Sequence, residues 1–324
     1  MKNYLKSAII LLLGLGLLAA CGRNEEKTAT STTTESSTAA VTDQPLRIGI
    51  LPAESAIPII LAKEQGYFEE LGLIVEISSF TAPTDRNVAV QAQELDGTIS
   101  DVMTEATFKK NGIDMTITSD ILEDFKVLAS PNSGITQMSQ LGGKTVTLVP
   151  NFILEYIMDE FAKEEDFTYE IVEIPSFSAR SEALLNDQVD AAVYTEPQAS
   201  LLAQQGAIVL GSSKAQGIKG GTLQFMDNVL SERPQDVTAF YLAYNKAIDY
   251  MNEHKATEYG DILTNYQFPE AMSTYLDNQT EDYPYAQPVA EEQFSSIITW
   301  TKDKGQIDEA YTYDQLTDFS FLDK

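Results

Sequence analysis

Apolar residues in the body of the chain alternate between strand-like runs and helix-like stripes. The first run, at 46–51, predicts a strand, and a helix at about 57–65 and a second strand at 73–77 follow it. A further helix is predicted at about 84–95, before a short strand of small residues at 97–100. This order favours parallel strands joined by right-handed helical crossovers.

The same order of elements returns in the middle of the chain. The predicted elements are a β-branched, buried strand at 145–149, a helix at 152–163, a strand at 169–174, a helix at 179–186 and a strand at 191–194. In both sets an acidic residue, Asp96 or Asp190, comes directly before a strand of small and β-branched residues. The two sets predict an α/β protein with two lobes, each a mostly parallel sheet flanked by helices.

The last third of the chain is predicted to be helical. Residues 211–222 are rich in Gly, Ser and Lys, and helices are expected after them at about 223–232, 234–254, 256–265, 269–277 and 290–303. Pro234 fits the first turn of the longest helix, where its missing N–H is not needed. Apolar residues recur at helical spacing along that helix and indicate a buried face.

The start of the chain resembles the export signal of a bacterial lipoprotein. A short basic segment precedes about 13 apolar residues, fewer than the roughly 20 that span a bilayer. The sequence Leu18-Ala19-Ala20-Cys21-Gly22 resembles the lipobox, in which a diacylglyceryl group, as in palmitate-anchored lipoproteins, is joined to the cysteine sulfur. We therefore expect residues 1–20 to be a signal peptide and Cys21 to carry a lipid anchor on the extracytoplasmic face of the cell membrane.

The segment after the lipidation site has almost nothing to bury. Residues 21–44 are rich in Thr, Ser, Glu and Ala and contain no aromatic residue. Such a composition predicts a disordered tether, because it cannot offset its own ordering entropy. A flexible coil of this length reaches some 25 Å.

Composition excludes several kinds of chemistry. The chain has one Cys, which is the predicted lipidation site, and one His, His254. Disulfides, thiolate or histidine metal sites and a histidine-dependent triad are therefore not expected, and no cofactor or metal is predicted. The formal net charge of −28 makes nucleic acid and anionic lipid surfaces improbable partners. The same charge is explained either by a need for solubility outside the cell or by the attraction of a cationic ligand.

Four passages resemble a known family. They are the strand at 46–51 with its polar loop, the G-Y-F passage at 62–73, the passage at 185–193 with Glu196-Pro197 after it, and the helix that Pro234 begins. The chain thereby resembles the substrate-binding lipoproteins of ABC importers, of the group that takes nitrate, sulfonates, taurine or the pyrimidine precursor of thiamine.

The resemblance implies a two-lobe fold of the periplasmic-binding-protein type II class, with the ligand held between the lobes. It implies a first lobe at 45–130 and 217–324 and a second lobe at 131–216, with hinge crossings near 129–131 and 211–219. The implied partners are a small-molecule ligand and an ABC importer permease, and we expect a monomer.

Ligands of open α/β sheets bind outside the carboxyl ends of the strands. The loops at those ends supply the candidate ligand-binding residues Glu54, Ser55, Phe80, Thr81, Ser100, Asp101, Asn151, Phe152, Ser176, Phe177, Tyr194 and Glu196. Each has a structural alternative: Ser55 and Asn151 suit helix caps, the Phe residues suit closed sheet ends, and the acids suit caps or solvated loops.

The nature of the ligand is left open by these residues. Three acids, Glu54, Asp101 and Glu196, lie on the predicted cleft loops, against Arg86 and Arg180 one turn inside their helices. This balance favours a neutral or cationic nitrogen heterocycle, such as a thiamine pyrimidine precursor, because a carboxylate repels an anion at close range. The alternatives are a sulfonate, taurine or nitrate-type anion, a ligand sensor without transport, and an enzyme on the same fold; no catalytic motif favours the last.

Overall fold

The computed structural model describes residues 40–174 and 176–322, and within them the strands form two five-stranded sheets. The predicted signal peptide, Cys21 and most of the predicted tether lie outside the described residues. The last residues of the predicted tether belong to the folded body, because Thr42 donates two hydrogen bonds to Asp236, from its N at 2.9 Å and from its Oγ1 at 2.6 Å.

The strands, in chain order, are β1 (Leu46–Ile50), β2 (Val75–Ser79), β3 (Gly97–Asp101), β4 (Met115–Asp120), β5 (Phe125–Ala129), β6 (Thr145–Leu148), β7 (Glu170–Glu173), β8 (Ala191–Thr195), β9 (Ile208–Ser212) and β10 (Gly221–Met226). The helices are α1 (Ile57–Glu64), α2 (Tyr67–Glu70), α3 (Pro83–Gln91), α4 (Val102–Lys110), α5 (Ile153–Glu164), α6 (Phe177–Leu185), α7 (Gln198–Gln204), α8 (Asp227–Glu232), α9 (Pro234–Glu253), α10 (Gly260–Asn265), α11 (Ala271–Asp277), α12 (Glu291–Asp303) and α13 (Tyr313–Leu316).

The two sheets have the same design. The first has the order β2-β1-β3-β10-β4 and the second the order β7-β6-β8-β5-β9. In each sheet the first three strands are parallel, and two antiparallel pairings add the remaining strands. We call each sheet, with the helices packed on it, the first lobe and the second lobe. The expected α/β class and two-lobe architecture are confirmed.

The internal repeat extends to single side chains. Asp96 accepts a hydrogen bond from the N of Arg47 at 2.8 Å, at the start of β1. Asp190 accepts one from the N of Thr145 at 2.9 Å, at the start of β6. Each carboxylate thus joins the same two neighbouring parallel strands in its own lobe, which explains the matching acidic residues in the sequence.

The chain crosses between the sheets at two places. The first crossing lies between Asp120 and Phe125, upstream of the expected 129–131, because β5 pairs with β8 and β9 in the second sheet. A local apolar pattern predicts a strand but not the sheet that the strand joins. The return crossing, residues 213–220, overlaps the expected 211–219.

The expectation of a helix at about 223–232 was wrong in its first half. Residues Gly221–Met226 form β10, which lies between β3 and β4 and is buried at every position. A strand covered on both faces shows no alternation of polar and apolar residues, so its pattern is hard to distinguish from a buried helix.

The helical C-terminal part covers the first lobe and also reaches the second. The long helix α9 packs on α1 and α2, with Phe240 stacked on Phe68 at 5.4 Å between ring centroids. Helix α12 packs on α4, yet its Trp300 ring contacts Tyr156 of α5 at 5.7 Å between ring centroids. Among the helices of the described ranges, none is both long and apolar enough to span a membrane.

Candidate ligand-binding site

A cavity of about 110 Å³ lies between the two lobes, at the carboxyl ends of their parallel strands. This volume is several times the roughly 10–15 Å³ that one water molecule needs. The walls come from both lobes and from the first crossing, and most of them are apolar, including Phe125, Phe152 and Phe177. A mostly apolar chamber with a few polar groups is the usual form of a small-molecule site.

Arg180 is the most unusual side chain of the cavity wall. It is fully buried, and none of its three guanidinium nitrogens has a hydrogen-bond partner among the described residues. Its guanidinium carbon lies 4.7 Å from the ring centroid of Phe177 and 5.2 Å from that of Tyr194. Burial lowers the pKa of Arg180 while the nearby Tyr194 hydroxyl opposes this change, and an arginine stays charged under ordinary conditions. The second lobe therefore presents a buried cation that has no counter-ion within residues 40–174 and 176–322.

Arg86 occupies the equivalent place in the first lobe, since it is the fourth residue of α3 as Arg180 is of α6. It is also buried, but its guanidinium has acceptors within the protein, the carbonyl oxygen of Ile99 and Oδ1 of Asn87. Burial lowers the pKa of Arg86 to about 10, and the nearby Asp101 opposes this change. Arg86 is therefore partly compensated from within.

Two carboxylates also line the cavity, and both are held by backbone amides. Asp101 caps α4 by accepting a hydrogen bond from the N of Thr104 at 2.8 Å. Burial raises the pKa of Asp101, while Arg86 and the amides of Thr104 and Ile153 partly lower it. Ile153 is the first residue of α5, so Asp101 of the first lobe also interacts with the N-terminus of a helix of the second lobe.

Glu123 lies on the first crossing, and its carboxylate is hydrogen-bonded to the end of the return crossing. It accepts hydrogen bonds from the N of Gly220 at 2.8 Å and the N of Gly221 at 3.0 Å. Burial raises the pKa of Glu123 to about 7, although Lys219 and the two amides act in the opposite direction. At neutral pH this carboxyl is thus only partly ionised.

The structure brings half of the sequence-predicted residues together on this cavity. They are Ser55, Ser100, Asp101, Phe152, Phe177 and Tyr194. The hydroxyl of Ser100 is buried without a hydrogen-bond partner among the described residues, so it is free to contact a ligand. Tyr194 donates a hydrogen bond to the carbonyl oxygen of Phe177 at 3.1 Å, which fixes one of the rings against Arg180.

Two of the predicted acids point elsewhere and have partners of their own. Glu196 is fully buried, pairs with Lys126 and accepts a hydrogen bond from the N of Ser200 at 3.0 Å. Glu54 accepts a hydrogen bond from the Tyr275 hydroxyl at 3.1 Å. Neither lines the cavity, so the balance of charge that the sequence suggested is changed.

The remaining predicted residues lie beside the cavity or away from it. Thr81 and Ser176 line a groove next to it, and Ser176 also caps α6. Phe80 packs against the core of the first lobe. Asn151 has a positive φ of 66° and donates its backbone N–H to Glu155 at 2.6 Å, so its role in the structure is in the turn before α5.

Sequence reasoning missed the contribution of the first crossing and undervalued the arginines. Ile121, Leu122 and Glu123 line the cavity because the crossing passes beside it. The two arginines carried a signal, since they occupy matching places in the two repeated sets.

Comparison with known proteins agrees with this architecture. The model of the family described as NMT1/THI5 like matches residues 54–257, which is more than half of the chain. The chain belongs to this family. The resemblance to the nitrate, sulfonate and thiamine-precursor group is confirmed.

Relatives in the family have different roles. A Bacillus subtilis (strain 168) protein named for binding aliphatic sulfonates is 27% identical over 274 residues, 79% of this chain and 78% of that protein. The 4-amino-5-hydroxymethyl-2-methylpyrimidine phosphate synthase THI11 of Saccharomyces cerevisiae (strain ATCC 204508 / S288c) is 28% identical over 225 residues, 62% of this chain and 64% of that protein.

Solved structures establish the same fold. The alkanesulfonate-binding protein SsuA from Xanthomonas axonopodis pv. citri, bound to MOPS, has a TM-score of 0.73 at 17% identity and covers 86% of this chain and 99% of its own. The periplasmic nitrate-binding protein NrtA from Synechocystis PCC 6803 has a TM-score of 0.72 at 12% identity and covers 87% of this chain and 88% of its own.

Proposed function

We propose that this protein is an extracytoplasmic solute receptor that captures a small organic anion between its lobes and delivers it to an ABC importer permease. Membership of the family, the two-lobe fold and a relative named for sulfonate binding support the receptor role. The observation that carries the proposal is Arg180, a buried cation without a partner among the described residues, in the wall of an apolar cavity.

The physical reason is the cost of burying an uncompensated charge. Removing an ion from water costs several kcal/mol unless a counter-charge or hydrogen bonds replace the water. A carboxylate, sulfonate or phosphate supplies both, and the planar guanidinium matches its oxygens with two parallel hydrogen bonds. The apolar walls then suit the body of an organic molecule, which distinguishes it from a bare inorganic anion.

This proposal replaces the neutral or cationic heterocycle that the sequence favoured. That expectation depended on Glu54 and Glu196 facing the ligand, and the structure gives both acids other partners. Of the three acids only Asp101 lines the cavity, where Arg86 is its nearby opposite charge. The remaining positive charge, that of Arg180, is open to an anion.

The sequence supports a location at the membrane surface. We infer that Cys21 carries a lipid and that the residues between it and Thr42, which bonds to Asp236 of the folded body, act as a tether. The permease would then receive the solute from a receptor held at the membrane surface.

The alternative is catalysis, since THI11 is named as a synthase. We propose binding without turnover, because none of the described residues that line the cavity is His, Cys or Lys. His254 lies away from the cavity, with its ring stacked on Tyr250 at 4.2 Å between centroids and its Nδ1 3.1 Å from Glu258. Its contacts are those of a structural residue at a helix end.

Titration calorimetry with a panel of solutes tests the proposal. Benzenesulfonate, ethanesulfonate, benzoate and nitrate represent anions, and 4-amino-5-hydroxymethyl-2-methylpyrimidine represents the heterocycles. We expect organic anions to bind and the aminopyrimidine not to bind. Binding of the aminopyrimidine alone would contradict the proposal, and turnover of any of these solutes would favour the enzyme. Loss of growth on limiting solute after deletion of the gene distinguishes transport from sensing.

A further inference from the structure

A polar cluster outside the ligand cavity joins the two lobes. It consists of Glu54 and Tyr275 of the first lobe and Lys126 and Glu196 of the second, and we call it the interlobe cluster. The backbone N of Glu54 donates to the backbone O of Glu196 at 3.2 Å. The Lys126 Nζ lies 4.8 Å from the ring centroid of Tyr275. The lobes are therefore connected twice within this small group.

The side chains of the interlobe cluster form a continuous series of contacts. Tyr275 donates from its hydroxyl to Oε2 of Glu54 at 3.1 Å, while its ring faces the Lys126 ammonium. Lys126 in turn pairs with Glu196, and Asp124 of the first crossing lies 3.6 Å from the same Nζ. Tyr275 and Lys126 are thus the two members of the interlobe cluster whose side chains contact both lobes.

These contacts are buried, which makes them sensitive to the separation of the lobes. Glu54, Glu196 and Tyr275 are exposed by 3%, 0% and 8%. An ammonium over an aromatic face is attracted more strongly where water is excluded. Opening the lobes would admit water to the Lys126–Tyr275 contact and weaken it.

No member of the interlobe cluster lines the ligand cavity. Its contacts therefore act on the arrangement of the lobes and not on the ligand itself. We propose that Tyr275 is a positioning residue for solute capture, which holds the lobes in the arrangement of this structure, called closed from here on, through Lys126 and Glu54. This inference rests on the proposed function for its consequence, which is tighter binding, but the closure that it describes is measurable without a ligand.

The apparent affinity of a two-state receptor falls with the population of its binding-competent state. A variant that favours opening is therefore expected to weaken every ligand by the same factor and to leave the ranking of ligands unchanged. A residue of the cavity wall would change that ranking. Helix α12 packs on α4 of the first lobe, while its Trp300 and the next residue after the helix, Lys304, contact α5 of the second lobe. Loss of the Tyr275 contacts should therefore shift the equilibrium and not abolish closure.

The test compares Tyr275→Leu, which removes the ring and the hydroxyl, with Tyr275→Phe, which removes only the hydroxyl. Tyr266→Leu is the matched control, since the Tyr266 hydroxyl donates to Glu64 at 2.7 Å within the first lobe. Spin labels at Glu94→Cys and Glu164→Cys, both exposed, report the distance between the lobes in a full-length chain with Cys21→Ser.

We expect Tyr275→Leu to lower the ratio of closed to open molecules roughly tenfold, in the range usual for coupled conformational equilibria. Tyr275→Phe should lower it less, because the ring over Lys126 remains. The control should leave the distance distribution of the parent chain unchanged. With benzenesulfonate as the probe, the affinity of Tyr275→Leu should fall by the same factor as its closed population.

A distance distribution for Tyr275→Leu equal to that of the control would overturn the inference. Should Tyr275→Leu fail to fold, the distribution for Tyr275→Phe decides, since that variant loses one hydroxyl only. Failure of every anion to bind would contradict the proposed function, whereas the ligand-free distances would still decide the role of Tyr275.

Discussion

Replacing Arg180 by methionine should weaken ligand binding and at the same time stabilise the unliganded protein. The guanidinium is buried without a hydrogen-bond partner among the described residues, so its charge opposes folding by several kcal/mol. The contacts of the guanidinium with the rings of Phe177 and Tyr194 offset part of this cost, at about 0.5–2 kcal/mol each. Methionine keeps an unbranched chain against Phe177 and Tyr194 without the charge. We expect a net gain of about 1 kcal/mol, or a rise in Tm of roughly 2–4 °C.

The effect on binding has the opposite sign. Removing one partner of a buried charge pair costs about 2–5 kcal/mol. This corresponds to an affinity for benzenesulfonate that is roughly 30-fold to 4,000-fold weaker. Thermal unfolding without ligand and titration calorimetry with benzenesulfonate measure the two effects on the same preparation.

Arg86→Met is the matched control, because Arg86 has acceptors within the protein. Its removal takes away the guanidinium hydrogen bonds to the carbonyl of Ile99 and to Asn87, and the cation beside the buried Asp101, which together cost about 1–3 kcal/mol of stability. The two variants should therefore shift Tm in opposite directions. A lower Tm for Arg180→Met together with unchanged anion affinity would refute the assignment of Arg180 as the anion partner.

Three further predictions follow from buried carboxylates. Burial raises the pKa of Glu105 well above its ordinary 4.5, so the folded protein holds this proton more tightly than the unfolded chain does. The wild type should therefore lose stability as the pH rises above about 4.5. In urea titrations, Glu105→Gln should lose less stability between pH 5 and pH 8 than the wild type does, and an equal loss would contradict this prediction. Glu123 lines the cavity and has a pKa of about 7, so it gains negative charge between pH 6 and pH 8 and then repels an anion. In calorimetry, the anion affinity of the wild type should be higher at pH 6 than at pH 8, and that of Glu123→Gln should be nearly the same at both. Glu196→Ala should lower the free energy of unfolding by about 3 kcal/mol, because it leaves the ammonium of Lys126 without its closest partner. A denaturation midpoint equal to that of the wild type would contradict this and show that Asp124 replaces Glu196 as the partner of Lys126.

The sequence was a good guide where a local pattern has one structural meaning. The repeated order of strands and helices predicted two similar lobes. The matching residues Asp96 and Asp190 each accept a hydrogen bond from the backbone N of the neighbouring parallel strand in their own lobe. The terminal helices were placed within a few residues, because Pro234 and the apolar stripe after it mark a helix start and a buried face.

The sequence was a poor guide where the outcome depends on distant partners. Strand β10 is buried on both faces, so no periodicity marked it, and β5 joins the second sheet through pairings that no local pattern shows. The orientation of Glu54 and Glu196 depends on Tyr275 and Lys126, which lie 221 and 70 residues away from them in the chain. The sequence could therefore not show that Glu54 and Glu196 lie away from the cavity, although six of the twelve predicted residues do line it.

Mass spectrometry of the small molecules released from protein purified out of its native host tests the central proposal most directly. We expect an acidic organic molecule, present at close to one per protein chain in the wild type and lost from Arg180→Met. A neutral or cationic molecule that remains bound to Arg180→Met would contradict the account.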